Sequence, residues 1–184
     1  MPSSTLLPPA RPRLAASEVE KIIRRHKVSA PVVVIGIRGY YRTTMGDPTR
    51  NDRGIYDDAI FVWSLSPVVA AFNGNTDPSR FRTGVASLIE GVHTYRRGMH
   101  GISRGTPYPA FRPATKGEAL PVRRDGQEGL SDGIAINIHR GGRGSTSSEG
   151  CQTIPPAQWD AFYSLLDGEM KRHKVTTFPY ILTS

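Results

Sequence analysis

The chain has 184 residues, with 24 Lys and Arg against 16 Asp and Glu and a formal net charge of +8. Hydrophobic residues make up 38%, and 19 glycines with 15 prolines exclude a helical bundle in favour of short strands joined by turns. A single cysteine excludes an internal disulfide framework and a cysteine-rich zinc site, so Cys151 is either packing filler or a reagent.

Residues 1–15 read as a flexible leader, because Pro2, Pro8, Pro9 and Pro12 oppose helix there. Residues 16–184 read as a single domain. Ser17 followed by Glu20 fits a capping box and predicts a short helix to His26, with Val19, Ile22 and Ile23 on one face. Ala30-Pro31 ends it. Pro31–Arg38 is a continuous β-branched run, the pattern of a strand buried on both faces. Further strands are expected at Asp57–Ser66, Val68–Asn73, Ala86–Ile89, Val92–Arg97 and Ala119–Arg124, with 98–118 as an extended surface loop. Ile134–His139 reads as a core strand with His139 at its exit, followed by a Gly/Ser-rich loop that ends at Cys151. Pro155-Pro156 opens a helix, in which Trp159, Phe162, Leu166 and Met170 recur at three and four. Val175–Leu182 is the closing strand. The expected fold is mainly β (α+β), sandwich- or barrel-like, with one short N-terminal helix and one helix after the cysteine.

The stretch from Gly133 to Cys151 carries the chemistry. A cysteine nucleophile needs a base, access for a carbonyl carbon, and donors aimed at the developing oxyanion. A strand end would fix His139 on a rigid scaffold. Gly150 removes a side chain beside the thiol, and backbone N–H groups at Gly150 and Cys151 are candidate oxyanion donors. Ser147 and Ser148 are placed to bond the backbone or orient the imidazole. The inert alternative is a small buried thiol in an ordinary loop.

These residues resemble the signature half of the L,D-transpeptidase (YkuD) catalytic domain over about fifty residues, 133–182. The matching parts are a strand ending in His139, a polar loop, the turn Ser148-Glu149-Gly150-Cys151, a helix from Pro156 and a final strand. The resemblance implies a β-rich catalytic fold and a thioacyl enzyme formed on Cys151, with peptidoglycan stem peptides as substrate. It makes His139 the base, and Ser148 and Gly150 the turn that shapes the oxyanion site. Arg140, Glu149 and Gln152 are the candidate substrate contacts. The sequence departs from the family at Glu149, where the family has His, at Gln152-Thr153, where it has an apolar residue and Arg, and in a shorter loop after His139. Papain-like and CHAP-type cysteine peptidases place the Cys before its His, and here only His173 follows Cys151.

Other readings remain beside this one. A basic surface fits an anionic wall polymer or nucleic acid, although the basic residues are scattered and no nucleic-acid-binding motif is present, so nucleic acid is not expected as a partner. Asp57-Asp58 reads as an ordinary turn start sooner than a carboxylate site. His93 and His100, with Asp132 or His139, would be the ligands of a zinc-dependent peptidase, but the spacing matches no zinc motif. No cofactor and no metal are expected. No apolar run approaches the roughly 20 residues that cross a bilayer, and the N-terminal stretch lacks the apolar core of a secretory signal. The expectation is a monomeric lytic enzyme of the endolysin kind, made in the cytoplasm and reaching the cell wall by another release route, with hydrolysis favoured over transpeptidation.

Overall fold

A computed structural model describes residues 5–49 and 51–184; residues 1–4 of the expected leader lie outside them. In chain order it contains α1 (Ala16–Arg25), β1 (Val32–Ile37), β2 (Asp58–Ser64), β3 (Val68–Gly74), β4 (Ala86–Leu88), β5 (Gly91–His100), β6 (Tyr108–Pro113), β7 (Ala119–Arg124), β8 (Ser131–Ile134), β9 (Ile138–Arg140), β10 (Gln152–Ile154), α2 (Pro156–Arg172) and β11 (Thr177–Thr183). Short 3-10 turns at Ile102–Arg104 and Lys116–Glu118 flank β6. Eight strands form one sheet in the order β10-β9-β6-β5-β11-β1-β2-β3, and β4-β7-β8 form a second. The large sheet curls until its edges meet. Asn75, just beyond β3, and Thr153 of β10 exchange N–H···O bonds of 2.9 and 2.8 Å. The protein is therefore mainly β, with two α-helices and a nearly closed, barrel-like sheet, and closure satisfies backbone groups that an open edge would expose.

β1 lies between β11 and β2, which explains its unbroken apolar run. Val32 and Val34 join Tyr95, Phe111 and Tyr180 in a core completed by Trp159, Phe162, Leu166 and Met170 of α2. Val33, Ile35, Phe61 and Ile181 face the opposite side, where Val19 and Ile23 of α1 cover them. The two amphipathic helices thus seal the two faces of one sheet, as the helical spacing of their apolar residues requires.

Three local expectations are corrected, and one strand is added. The α1 cap lies two residues earlier than Ser17: the Ala15 N–H donates to Glu18 Oε2 at 3.2 Å, so an acidic side chain in the first turn caps without a hydroxyl partner. Segment 98–118 is not a loop, because β5 runs on to His100 and pairs with β6 from Tyr95↔Pro113 to His100↔Tyr108. Pro109 and Pro113 obscured that strand; they are tolerated because the other side of β6 is covered by a single register pair, Phe111↔Ile138. The expected strand Ile134–His139 is broken into β8 and β9, which belong to different sheets. Gln152–Ile154, to which no element was assigned from the sequence, is a strand parallel to β9.

Residues 5–15 have no regular secondary structure, yet they are hydrogen-bonded to the segment between β1 and β2. Tyr56 N–H donates to Leu6 O at 2.9 Å, and the Tyr41 hydroxyl donates to Ala10 O at 2.8 Å. Among the described residues, no helix is long and apolar enough to cross a membrane.

Candidate active site

The break between β8 and β9 creates the surroundings of Cys151. Ala135 adopts φ +54°, a left-handed conformation that costs a residue with a Cβ about 1–2 kcal/mol. The chain thereby leaves the small sheet, and its next backbone groups turn to the thiol: Asn137 N–H lies 3.4 Å from Cys151 Sγ, and the thiol reaches Ala135 O at 3.7 Å. Gln152 N–H donates to Asn137 O at 2.8 Å, which seats Cys151 beside Asn137 and places Thr153 opposite His139.

The turn before Cys151 is held from several sides. Ser148 Oγ accepts from Gly150 N–H at 3.0 Å and donates to Cys151 O at 2.7 Å, closing the turn on itself. Ser148 and Ser79 are joined twice, Ser148 N–H to Ser79 Oγ at 2.7 Å and Ser79 N–H to Ser148 O at 2.8 Å. Gln152 donates to Gly150 O at 3.2 Å and accepts from the Tyr180 hydroxyl at 2.9 Å. That hydroxyl in turn needs Gly36, where any Cβ would collide with it.

Two sequence expectations change at this turn. Gly150 has φ +128° and is buried, and a Cβ there would meet the Ala86 carbonyl, so the missing side chain admits β4 and not a ligand. Its N–H is already used by Ser148. The Cys151 N–H makes no hydrogen bond among the described residues and is the better candidate for an oxyanion donor.

His139 is 3% exposed. Its Nδ1 lies 2.7 Å from Arg140 O, which can only accept, so the proton sits on Nδ1 and the Nε2 lone pair is free to act as base. The Tyr108 hydroxyl lies 3.1 Å from the same Nδ1 and donates to Arg140 O at 3.2 Å, fixing the ring through a second strand. Burial, then the neighbouring His100, push His139 down to about 3. Burial pushes the Cys151 thiol up to about 11, against the pull of Asn137 N–H and the positive Arg112 and Arg104. Among the described residues, Sγ bonds only backbone groups and no imidazole. At rest the thiol, one residue before β10, and the imidazole of His139 on β9 are both neutral.

Of the expected substrate contacts, Arg140 is exposed, with its guanidinium 4.9 Å above the Tyr108 ring. Glu149 is exposed and pairs with Arg82 at 3.1 Å, a contact worth little in water. Gln152 is corrected: it is fully buried and holds the turn from behind, so it cannot touch substrate. Beside the turn lies a cleft of about 480 Å³ lined by Arg80, Phe81, Arg82, Arg104, Ser145 and Ser147. His93 points away and bonds Ile89 O at 2.8 Å, and His173 bonds Ser66 Oγ at 2.8 Å. Among the described residues no three His, Cys, Asp or Glu side chains converge as metal ligands.

Sequence reasoning missed Tyr108 and Asn137 and gave His100 only a zinc role. A polar residue inside Ile136-Asn137-Ile138 was the available signal; His100 and Tyr108 were hidden in the segment read as loop. Comparison of the chain with protein-family models, with curated proteins and with solved structures gave no match in any of the three.

Proposed function

We propose that the protein is a cysteine acyl-transfer enzyme of the L,D-transpeptidase type that acts on peptidoglycan stem peptides in the cell wall, with water as the favoured acceptor. The observation that carries this reading is Cys151 Sγ held at 3.4 Å from the Asn137 N–H, two residues along the chain from a buried His139 whose Nδ1 is anchored on Arg140 O, leaving Nε2 as the base. The stem-peptide substrate comes from the resemblance of residues 133–182 to that family. Against a nucleic-acid-binding role, several arginines are already spent in ion pairs, including Arg53 with Asp125 at 2.5 Å, Arg97 with Asp167 at 2.5 Å and Arg38 with Asp77 at 3.1 Å.

The chemistry runs in two halves. Substrate displaces the thiol from Ala135 O, His139 Nε2 takes the thiol proton, and the thiolate attacks the peptide carbonyl. The Cys151 N–H donates to the tetrahedral oxyanion. Collapse breaks the C–N bond, and His139 returns its proton to the leaving amine, giving a thioester on Cys151. Water, losing a proton to Nε2, then attacks the thioester and releases acid and thiol. An amine in place of water would make the same enzyme a transpeptidase.

Mass spectrometry of purified muropeptides after incubation tests the reading and separates loss of a residue from exchange. Turnover by the native chain and none by Cys151→Ala supports it. Turnover that persists undiminished in Cys151→Ala overturns it, and sensitivity to a chelator with indifference to thiol alkylation would place the chemistry on a metal.

A further inference from the structure

His100 is the last residue of β5, far in sequence from both His139 and Cys151, yet its ring lies flat on His139. The centroids are 3.8 Å apart and the planes 13° from parallel. His100 is held in turn by Asn137, whose Nδ2 lies 3.0 Å from His100 Nδ1. An amide nitrogen can only donate, so His100 Nδ1 accepts and its own proton sits on Nε2. Asn137 is 3% exposed, and its Oδ1 has no partner among the described residues, so nothing else fixes this amide. Tyr108, the register partner of His100, packs its ring at 5.6 Å while its hydroxyl reaches His139 Nδ1. Three segments of the chain therefore meet in one aromatic stack behind the base.

We propose that His100, seated by Asn137, is a positioning residue: a neutral ring plate that fixes the plane of His139 and keeps water and protons from its resting imidazole. The proposal rests on the reading of His139 as the base. Two imidazoles at this separation cannot both carry a charge. Burial, then Arg104 on the 3-10 turn and Arg112 on β6, hold His100 below the ordinary histidine range. The Asn137 N–H donor at Nδ1 does the same by geometry. His100 thus remains uncharged, and its ring covers one face of His139 and excludes water from it.

The test is a ring-proton NMR titration of His139 in Cys151→Ala protein, which carries out no chemistry. His139 is expected to titrate well below the ordinary histidine range. Adding His100→Ala moves its titration up by about one pH unit or more, while His100→Phe, which keeps the plate, leaves it low. In chains that retain Cys151, His100→Ala lowers kcat/KM by about tenfold or more, as expected when a catalytic group is displaced, and raises the acid limb of the pH profile; His100→Phe leaves that limb in place. If His100→Ala does not fold, His100→Gln removes the ring while keeping a group for Asn137, and the same upward shift is expected. A His139 titration unmoved by loss of the ring, or moved equally by His100→Phe, overturns the proposal. Because the titration does not depend on turnover, a failure of the enzymatic reading shows separately, as muropeptide turnover that survives Cys151→Ala.

Discussion

β1 and β9 answer the same problem, satisfying backbone groups in a curled sheet, in opposite ways. β1 is six residues long, pairs with β2 along its whole length and with β11 from Val34 to Ile37, and is buried on both faces. β9 is three residues long, follows a left-handed residue, and meets β6 at a single register pair. Long regular pairing consumes every donor and acceptor it brings, and leaves nothing to react. Short, interrupted pairing leaves the Asn137 N–H and the Ala135 carbonyl outside any ladder, free to face a sulfur. Stability sits in the first region and the proposed chemistry in the second, and mutation should separate them.

The largest expected effect is in the irregular region. Cys151→Ala lowers muropeptide turnover by about a thousandfold or more, while the thermal midpoint stays near that of the native chain. A parallel fall in both would break the comparison. In the regular region, Phe162 is fully buried against Phe72 and Phe111. Phe162→Ala costs about 3–5 kcal/mol in a urea titration, and below the transition the surviving folded protein keeps its turnover.

A pH titration sharpens the contrast, because burial neutralises opposite kinds of group in the two regions. Asp57, the residue just before β2, is 2% exposed; burial, then Asp58, push it up to about 8. Its unfolded form ionises near the ordinary carboxylate value of about 3.9, so its contribution to stability is whole below that pH and is lost as pH rises toward 8. His139 has the reverse sign. Its unfolded form takes a proton below about 6.5 and the folded form only near 3, so stability is lost as pH falls between those values. The urea midpoint of Asp57→Asn should accordingly gain on the native chain as pH rises from 4 to 8 and then level off. A constant difference across that range would refute the assignment.

Smaller effects belong to the turn itself. Ser148→Ala removes two hydrogen bonds and leaves Gly150 N–H buried without a partner, a loss of about 1–3 kcal/mol. Turnover should fall with it, since the Cys151 N–H would no longer be fixed. Ala135→Gly is expected to change stability by less than about 1 kcal/mol, relief of the left-handed strain offsetting the added chain entropy; urea titration measures it.

Much of the frame was legible because its signals are local. β1, β2, β3, β7 and α2 follow from apolar runs and spacing that hold wherever those segments lie. Cys151, His139 and Ser148 were chosen from residue type; the structure bonds Ser148 Oγ to the Cys151 carbonyl and ties the His139 ring to Arg140 O and Tyr108. The break at Ala135 was not legible, because alanine carries no preference for φ +54° and only tertiary contacts impose it. Gln152 looked like a substrate contact from its position after the cysteine, until the fold placed the Tyr180 hydroxyl above it.

The sequence by itself determined a basic, glycine- and proline-rich β protein with one thiol and a histidine upstream of it. Only the tertiary structure decided how that thiol is held. It brings His100 from β5, Tyr108 from β6 and Ser79 from beyond β3 to a site whose own residues span 135–152. Those groups are recruited by long-range strand pairing, and residues so distant along the chain leave no periodicity from which their meeting could be read.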